Sequence, residues 1–277
     1  MGFKSLRKQS FLESFTICSV ELLFLSFIGV FINSCVSVPG SKNKAFLLTS
    51  ASEENKMGAA AFQEILKKER ISRHPQWTRV IQRVGKRIAH QAPVKVQWDF
   101  RLINSKERNA FALPGGKVAF YTGIMPVLKN EAAVAAVMGH EVAHVVARHA
   151  GQRMSRAQIT GMGLALASTA FGDSKNKNLY MGLLGAGAQV GAILPFSRGH
   201  ETEADELGLR YAAAAGYDPR QAAQFWTRMN AGKSAQGPSW LSTHPLSNDR
   251  VKKLHALARK LMPVYYKSAR HGLGEQW

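Results

Sequence analysis

The feature that most constrains this chain is the pentapeptide His-Glu-Val-Ala-His at positions 140–144, which lies inside an alanine- and valine-rich run. Apolar residues recur through the run at helical spacing, Asn130 precedes it as a candidate N-cap, and Gly151 follows it as a candidate stop. On a helix, His140 and His144 stand four positions apart, so both imidazoles leave the same face one turn apart. Two imidazoles in that arrangement can bind a single metal ion.

Glu141 leaves the same predicted helix about 100° round from His140, beside the ion rather than on it. A carboxylate in that place can act as general base toward a water that the ion activates, which is the chemistry of zinc metallopeptidases. The alternative is a buried amphipathic helix whose histidines hydrogen-bond locally, although buried His and Glu side chains require polar partners. The first interpretation requires a third ligand elsewhere in the chain.

Glu201 and Asp205 provide the missing acidic groups, because they lie four positions apart near the start of a second predicted helix. We expect Glu201 to be the third metal ligand. Asp205 is then expected to accept the free N–H of a ligand histidine, which fixes the tautomer of that ring. In this arrangement His200 and Glu203 point away from the metal. The alternative is that these acidic side chains only complement the dipole of the first helical turn.

Alternating apolar and β-branched residues predict β-strands immediately before the metal-binding helix. Residues 94–103 form one candidate strand, and residues 109–121 form a hairpin around a Pro-Gly-Gly turn. The sequence therefore predicts a small antiparallel sheet beside the helix. Its edge strand can hold an extended polypeptide through main-chain hydrogen bonds, although a sheet that only covers the helix explains the pattern equally well. The candidate edge residues are Asn109, Ala110, Phe111 and Ala112.

The C-terminal part of the chain carries two further candidates. His244 lies in the loop sequence Thr-His-Pro, from which its ring can reach the metal as a fourth ligand or stabilise the oxyanion that develops during hydrolysis. Arg250, on the following predicted helix, is a second candidate for contacting that oxyanion. The alternative for His244 is a loop histidine that hydrogen-bonds the backbone near it.

The N-terminus has the pattern of an export signal. Three basic residues precede an apolar run at 22–32, which has the length of a signal-peptide core and is too short to span a bilayer. The run ends in Ile-Asn-Ser-Cys, which resembles the lipobox of bacterial lipoproteins and implies a lipid on Cys35. We therefore predict a signal peptide at 1–34, a lipidated cysteine with a tether at 35–50, and one domain at 51–277. An ordinary secretory signal or an uncleaved short anchor is the alternative.

Lysine and arginine outnumber aspartate and glutamate by 37 to 18, which leaves a formal net charge of +19. Such a surface favours anionic partners such as phospholipid headgroups, although a generally basic, solvated surface explains the charge equally well. The basic residues are spread along the chain without interleaved aromatic residues, so we expect no nucleic-acid partner. Two apolar runs rich in glycine and alanine, at 159–171 and 179–196, predict a helical hairpin over the metal-binding cleft. A re-entrant or membrane-spanning pair is the alternative.

Together these motifs resemble those of the minimal gluzincin zinc metallopeptidases, the group that includes the HtpX, CAAX prenyl endopeptidase and BepA types. The matching motifs are HExxH, the downstream Glu-x-x-x-Asp, the Asn-Ala-Phe-Ala strand with its Pro-Gly-Gly turn, and Thr-His-Pro. They span roughly residues 50–260 in the order that the family has. The lipobox makes the LoiP-like outer-membrane lipoprotein peptidases the most similar subgroup.

The resemblance implies an α+β, mostly helical zincin-type metallopeptidase domain with a small antiparallel sheet next to the HExxH helix. It implies one Zn²⁺ per chain, bound by His140, His144 and Glu201, with Glu141 as the base. It also implies an endopeptidase that hydrolyses misfolded or unassembled envelope proteins, anchored by its lipid to the periplasmic face of the outer membrane beside outer-membrane assembly proteins. The alternative is a chaperone or assembly factor whose zinc site His244 keeps latent.

Overall fold

The computed structural model of the protein describes residues 34–170, 197–231, 239–245 and 247–277. The predicted signal peptide, apart from its last residue, and the second apolar run at 179–196 lie outside the described residues. The helical hairpin over the cleft and its membrane alternative therefore stay predictions. Among the described helices, none combines the length and the apolar character that crossing a lipid bilayer requires.

Helices dominate the described chain, and two small sheets accompany them. The strands are β1 (Cys35–Ser37), β2 (Lys44–Phe46), β3 (Asp99–Ile103), β4 (Ala110–Leu113) and β5 (Lys117–Tyr121). The helices are α1 (Ala51–Lys68), α2 (Pro75–Gln91), α3 (Met125–Leu128), α4 (Glu131–Val146), α5 (His149–Ala170), α6 (Arg198–Ala214), α7 (Arg220–Ala231), α8 (Ser239–Thr243) and α9 (Asn248–Lys267). The predicted α+β class is confirmed.

The first two helices begin at residues that favour helix starts. The hydroxyl of Ser50 accepts a hydrogen bond from the Glu53 amide, and the Glu53 carboxylate accepts one from the Ser50 amide, which closes a capping box at the start of α1. Pro75 occupies the first turn of α2, where its missing N–H costs no hydrogen bond. α1 packs on β4 and β5, and α2 packs on β3 and α4, so these helices cover the sheet and the central helix.

The larger sheet has the strand order β3–β5–β4, with β5 in the centre. β4 and β5 form the predicted antiparallel hairpin, and Gly115 and Gly116 both take positive φ angles at its turn. β3, however, begins only at Asp99 and pairs parallel to β5, so the sheet is mixed rather than wholly antiparallel as predicted. Alternation of apolar residues identifies strands, whereas pairing direction depends on how the β3–β4 connection crosses to the far edge.

The central helix of the domain is α4. The side chain of Asn130 caps it, as predicted, by accepting a hydrogen bond from the Ala133 amide at 2.9 Å. Nearly every residue of α4 is buried, and its main neighbour is α6. The two helices cross closely at Gly139 and Gly208, where a Cβ atom on either residue would collide with the backbone of the other. This close crossing brings the first turn of α6 to the histidine-bearing face of α4.

The helix that carries His140 and His144 ends earlier than predicted. α4 stops at Val146, Arg148 takes a left-handed conformation with a φ of 52°, and a new helix begins at His149. Gly151, which the sequence suggested as the stop, lies instead inside α5, where a Cβ atom would collide with the carboxylate of Glu54. Arg148 pairs with that carboxylate at 2.7 Å. An ion pair therefore stabilises the end of α4, and the glycine makes room for it.

The segment predicted as a tether is packed against the domain. β1 and β2 pair antiparallel as a hairpin, and the side chains of Val38, Ala45 and Leu47 are buried in the core. The hairpin thus packs on the core within residues 35–50, the segment predicted as a lipidated cysteine with a short tether. Cys35 is exposed as a free thiol, and its lipidation stays a prediction.

Candidate metal centre

The three predicted ligands meet between α4 and α6. His140 and His144 leave α4 one turn apart, and their Nε2 atoms lie 3.0 Å from each other. The carboxylate of Glu201, from the first turn of α6, lies 3.4 Å from Nε2 of His140 and 3.5 Å from Nε2 of His144. All three side chains are buried. The structure therefore brings together the residues that helical spacing and acidic character selected.

His244 joins the same cluster from the chain that follows α8. Its Nδ1 lies 3.0 Å from Oε1 of Glu201 and 3.1 Å from Nε2 of His140, and its ring is buried. One donor atom from each of these four residues, His144 included, lies within 4.8 Å of the others, a spacing compatible with a single shared ion. The sequence left several places open for the ring of His244. The structure puts that ring beside the predicted ligands.

Asp205 and Arg250 form an ion pair behind His140. Oδ1 of Asp205 lies 3.0 Å from Nδ1 of His140, the ring nitrogen opposite the cluster. The Arg250 guanidinium donates to both oxygens of Asp205, at 2.6 and 2.8 Å, and its Nη1 lies 2.6 Å from Oε2 of Glu201. Arg250 therefore pairs with the predicted ligand Glu201 and with the carboxylate behind His140, and its contact with the reacting oxyanion stays a prediction.

The electrostatics of the cluster favour a divalent cation. Burial alone would lower the pKa of His140, but the carboxylates of Glu201 and Asp205 outweigh it and raise that pKa to about 9. The buried carboxylates of Glu201, Asp205 and Glu141 bring three negative charges to the cluster, against two positive charges from the Arg250 guanidinium and the protonated ring of His140, which leaves a formal charge of −1. A divalent cation would neutralise that charge and displace the proton that His140 otherwise holds.

Glu141 lies beside the ligands, and an unpredicted residue orients it. Nε1 of Trp240 donates to Oε1 of Glu141 at 3.0 Å, and both side chains are buried. Nε2 of His244 lies 3.6 Å from the same oxygen. Trp240 belongs to the short helix α8, inside a glycine- and serine-rich stretch that the sequence predicts as a loop. The large side chain of Trp240 was the only signal in the sequence that could have identified it as a residue of the site.

A second unpredicted group lies behind His144. Nδ1 of His149 lies 2.8 Å from Nδ1 of His144, and Nε2 of His149 lies 3.0 Å from Oε2 of Glu203. The other oxygen of Glu203 accepts hydrogen bonds from the hydroxyl of Ser41 and, at 2.8 Å, from Nδ2 of Asn43 in the β1–β2 hairpin. Glu203 points away from the ligand cluster, as predicted. It is nevertheless connected through His149 to the predicted ligand His144.

Helical spacing could not have revealed His149. It follows His144 by five positions, which on a continuous helix would place the two rings on different faces. The left-handed residue Arg148 breaks the helix and returns the ring of His149 to that of His144. His200, which also points away from the ligand cluster, stacks on His149 with ring centroids 4.3 Å apart.

A cavity of about 260 Å³ lies between His144 and the edge of the larger sheet. β4 is an edge strand of that sheet, as predicted, and it contains three of the four candidate edge residues, with Asn109 immediately before it. The cavity wall is mainly apolar and is shared by the edge strand, the β1–β2 hairpin and the end of α4. Its lining includes Val36, Val38, Ala112, Leu113, His144 and Val145.

These observations define the class of the protein. Two histidines one turn apart on a buried helix, a carboxylate from a second helix, and a sheet whose edge strand borders the site are the features of a zincin-type metallopeptidase domain. The donor set fits the ion of such a domain, because a buried carboxylate also backs one of the rings. The chain belongs to peptidase family M48, whose model matches residues 73–258. The resemblance drawn from the motifs is confirmed.

Two relatives support the same assignment. The mitochondrial metalloendopeptidase OMA1 of Schizosaccharomyces pombe is 35% identical over 224 residues, which cover 78% of this chain and 64% of the relative. The beta-barrel assembly-enhancing protease of Escherichia coli strain K12 is 30% identical over 248 residues, which cover 86% of this chain and 50% of the relative. The chain thus spans between half and two thirds of the length of these relatives. Their names describe a mitochondrial metalloendopeptidase and a protease that enhances β-barrel assembly.

Proposed function

We propose that the chain is a zinc-dependent endopeptidase. The observation that carries this proposal is the convergence of His140, His144 and Glu201, with Glu141 buried beside them. Two imidazole nitrogens and a carboxylate oxygen are a donor set that catalytic zinc takes, and three protein ligands leave one position for water or substrate. A zinc ion held there would polarise the scissile carbonyl group and lower the pKa of a water molecule.

Glu141 is the residue that moves the proton in this proposal. The indole N–H of Trp240 holds Oε1 of Glu141 at 3.0 Å, so the carboxylate keeps one orientation beside the ligands. From there it can accept a proton from the attacking water, and the same carboxyl group can then donate that proton to the leaving amine. General base and general acid roles thus fall to a single side chain in successive steps of the hydrolysis.

The edge of β4 favours an extended polypeptide as the substrate. β4 pairs with β5 on one side, and its other edge presents main-chain N–H and C=O groups to which a substrate strand can add. Binding of this kind depends little on side-chain identity, which suits a protease that acts on unfolded clients. The apolar cavity that reaches His144 provides room for an apolar side chain of the substrate.

We further propose that the enzyme works in a bacterial cell envelope, anchored through a lipid on Cys35 to the periplasmic face of the outer membrane. The lipobox-like sequence, the exposed thiol and the name of the bacterial relative support this location. Misfolded or unassembled envelope proteins would be the substrates, with outer-membrane assembly proteins as neighbours. Membrane extraction tests the anchor, because Cys35→Ala should release a lipid-anchored protein and leave a membrane-spanning one in place.

The decisive experiment combines metal analysis with casein cleavage. We expect one zinc ion per chain in the wild type and in Glu141→Gln, because the carboxylate at 141 is not a ligand. Cleavage should occur in the wild type alone. His140→Ala should lose the zinc. Casein cleavage by Glu141→Gln at the wild-type rate would contradict the mechanism.

His244 favours a second candidate, a chaperone or assembly factor with a latent site. Its Nδ1 lies among the ligand atoms, where it would take the position that water or substrate needs. The variant His244→Ala separates the candidates. A gain in casein cleavage supports a latent protease, whereas inactivity of both forms, together with retained binding of an unfolded client, supports the chaperone.

A further inference from the structure

We propose that His149 and Glu203 are positioning residues for the metal ligand His144, and that the β1–β2 hairpin holds Glu203 in place. This inference rests on the proposed function, because it concerns how one ligand of the zinc site is oriented. It connects the β1–β2 hairpin, which begins at Cys35, to the proposed metal centre through successive hydrogen bonds.

The hydrogen-bond chain has one consistent direction once His144 binds a metal. A ring that binds through Nε2 carries its proton on Nδ1, so Nδ1 of His144 donates to Nδ1 of His149 across 2.8 Å. His149 must then carry its own proton on Nε2, which lies 3.0 Å from Oε2 of Glu203. A carboxylate at the end of the chain thereby fixes the tautomer of both rings.

The surroundings of the two residues keep this chain intact. His149 is fully buried and Glu203 is 6% exposed, so little water competes for their hydrogen bonds. The ring of His200 stacks on that of His149, with the two planes 18° apart, which restricts rotation of the His149 ring. The His149 ring therefore presents Nδ1 to the ligand and Nε2 to the carboxylate at the same time.

The outer end of the chain lies in the β1–β2 hairpin. The hydroxyl of Ser41 and Nδ2 of Asn43 both donate to Oε1 of Glu203. Val38 and Ala45, which are buried in the core, hold the hairpin and therefore hold these two donors. Three successive hydrogen bonds thus connect a surface loop to the ring of a predicted metal ligand.

Glu203→Gln and His149→Phe test the inner part of the chain. Both substitutions approximately keep side-chain size, and Glu206→Gln is the matched control because Glu206 is exposed on the same helix. Zn²⁺ affinity, measured by competition with a chromophoric chelator, should fall by about 10- to 100-fold in the two variants and stay unchanged in the control. The visible absorption spectrum of the Co²⁺-loaded protein should change in the same two variants, because it reports ligand geometry.

The double variant tests whether the two residues act in series. If they do, its loss of Zn²⁺ affinity should not exceed the larger of the two single losses, because breaking one link already disconnects the ligand. Additive losses would overturn the series arrangement. Zn²⁺ affinities and Co²⁺ spectra equal to those of Glu206→Gln would overturn the proposal.

The pair Ser41→Ala and Asn43→Ala tests the hairpin without disturbing the core. We expect the combined variant to lose Zn²⁺ affinity by less than Glu203→Gln and to shift the Co²⁺ spectrum in the same direction, whereas exposed Lys42→Ala should do neither. A lower melting temperature with unchanged Zn²⁺ affinity would overturn the role of the hairpin. A wild-type protein that binds no Zn²⁺ would overturn the proposed function too, while normal wild-type binding with unaffected variants overturns this inference alone.

Discussion

The two imidazoles of the proposed metal site are held in different ways. His140 is backed directly by the ion-paired carboxylate of Asp205. His144 is backed by the ring of His149, whose pKa burial lowers, and only then by the carboxylate of Glu203. The first arrangement lies among α4, α6 and α9, whereas the second extends to a hairpin at the surface. One requirement, a fixed ring tautomer, is thus met in two ways.

The difference follows from what lies behind each ring. Behind His140 the start of α9 places a guanidinium between two carboxylates. Removing one charge of such a buried ion pair leaves the other charge without a partner or solvent, which destabilises the fold. Behind His144 the carboxylate is one ring further away, so a neutral histidine fills the gap. We therefore expect damage on the His140 side to cost folding stability, and damage on the His144 side to cost mainly metal affinity.

The largest effect is expected from Arg250→Met, which breaks the ion pair on the His140 side. Asp205 and Glu201 would stay buried without the guanidinium that pairs with both of them, so the free energy of unfolding should fall by about 3–5 kcal/mol. Urea unfolding followed by tryptophan fluorescence measures the loss. Arg259→Met, exposed on the same helix, is the control. An equal loss of unfolding free energy in Arg250→Met and Arg259→Met would show that the ion pair does not stabilise the His140 side of the site.

Gly208→Ala should affect both sides together, because it separates the helices that carry the ligands. The added Cβ atom would collide with the backbone of Gly139, and overpacking of this kind costs about 1–3 kcal/mol. Zn²⁺ affinity should fall as well, since α6 carries Glu201. Gly199→Ala on the same helix meets only Ser197 Oγ at 3.7 Å and should leave unfolding and Zn²⁺ affinity unchanged. A comparable loss in Gly199→Ala would contradict the importance of the crossing.

The two sides can be compared directly through Asp205→Asn and Glu203→Gln. Both should weaken Zn²⁺ binding within a range of about 10- to 100-fold, the first toward the upper end because Asp205 contacts its ligand ring without an intermediate. Competition with a chelator, measured for both proteins at the same pH, gives the ratio of their Zn²⁺ affinities. A larger loss in Glu203→Gln would reverse the proposed ranking of the two supports.

The smallest effect is expected from Ser247→Ala, which removes the N-cap of α9. The hydroxyl of Ser247 accepts a hydrogen bond from the Arg250 amide at 3.2 Å, and losing such a cap costs about 1 kcal/mol of stability. Ser50→Ala removes the N-cap of α1, a helix that carries no predicted ligand, and is the matched control. Zn²⁺ affinity should be normal in both variants. A loss of Zn²⁺ affinity in Ser247→Ala but not in Ser50→Ala would show that the start of α9 also positions the Arg250 guanidinium.

Helical spacing predicted those parts of the site that lie on continuous helices. His140 with His144, and Glu201 with Asp205, are four positions apart, and each pair does share a face. Strand alternation in the same way predicted the β4–β5 hairpin and its edge. It did not predict the parallel pairing of β3, because pairing direction is a property of the connection and not of the strand.

Three residues that support the site from outside those helices were not predicted. His149 comes after the break at Arg148, Trp240 lies in a short helix where the sequence suggested a loop, and Ser41 lies in a segment expected to be a tether. None of these positions has a periodic pattern that connects it with the ligands. Their contacts depend on where separate segments of the chain pack.

By itself, the sequence determined which side chains could bind a metal ion and move a proton, because residue type and spacing along one helix are local properties of the chain. Only the tertiary structure decided what stands behind each ligand. The close crossing at Gly139 and Gly208, the left-handed turn at Arg148 and the docked hairpin bring distant segments into hydrogen-bond range. Such contacts arise from packing between segments, and local spacing along the chain carries no record of them.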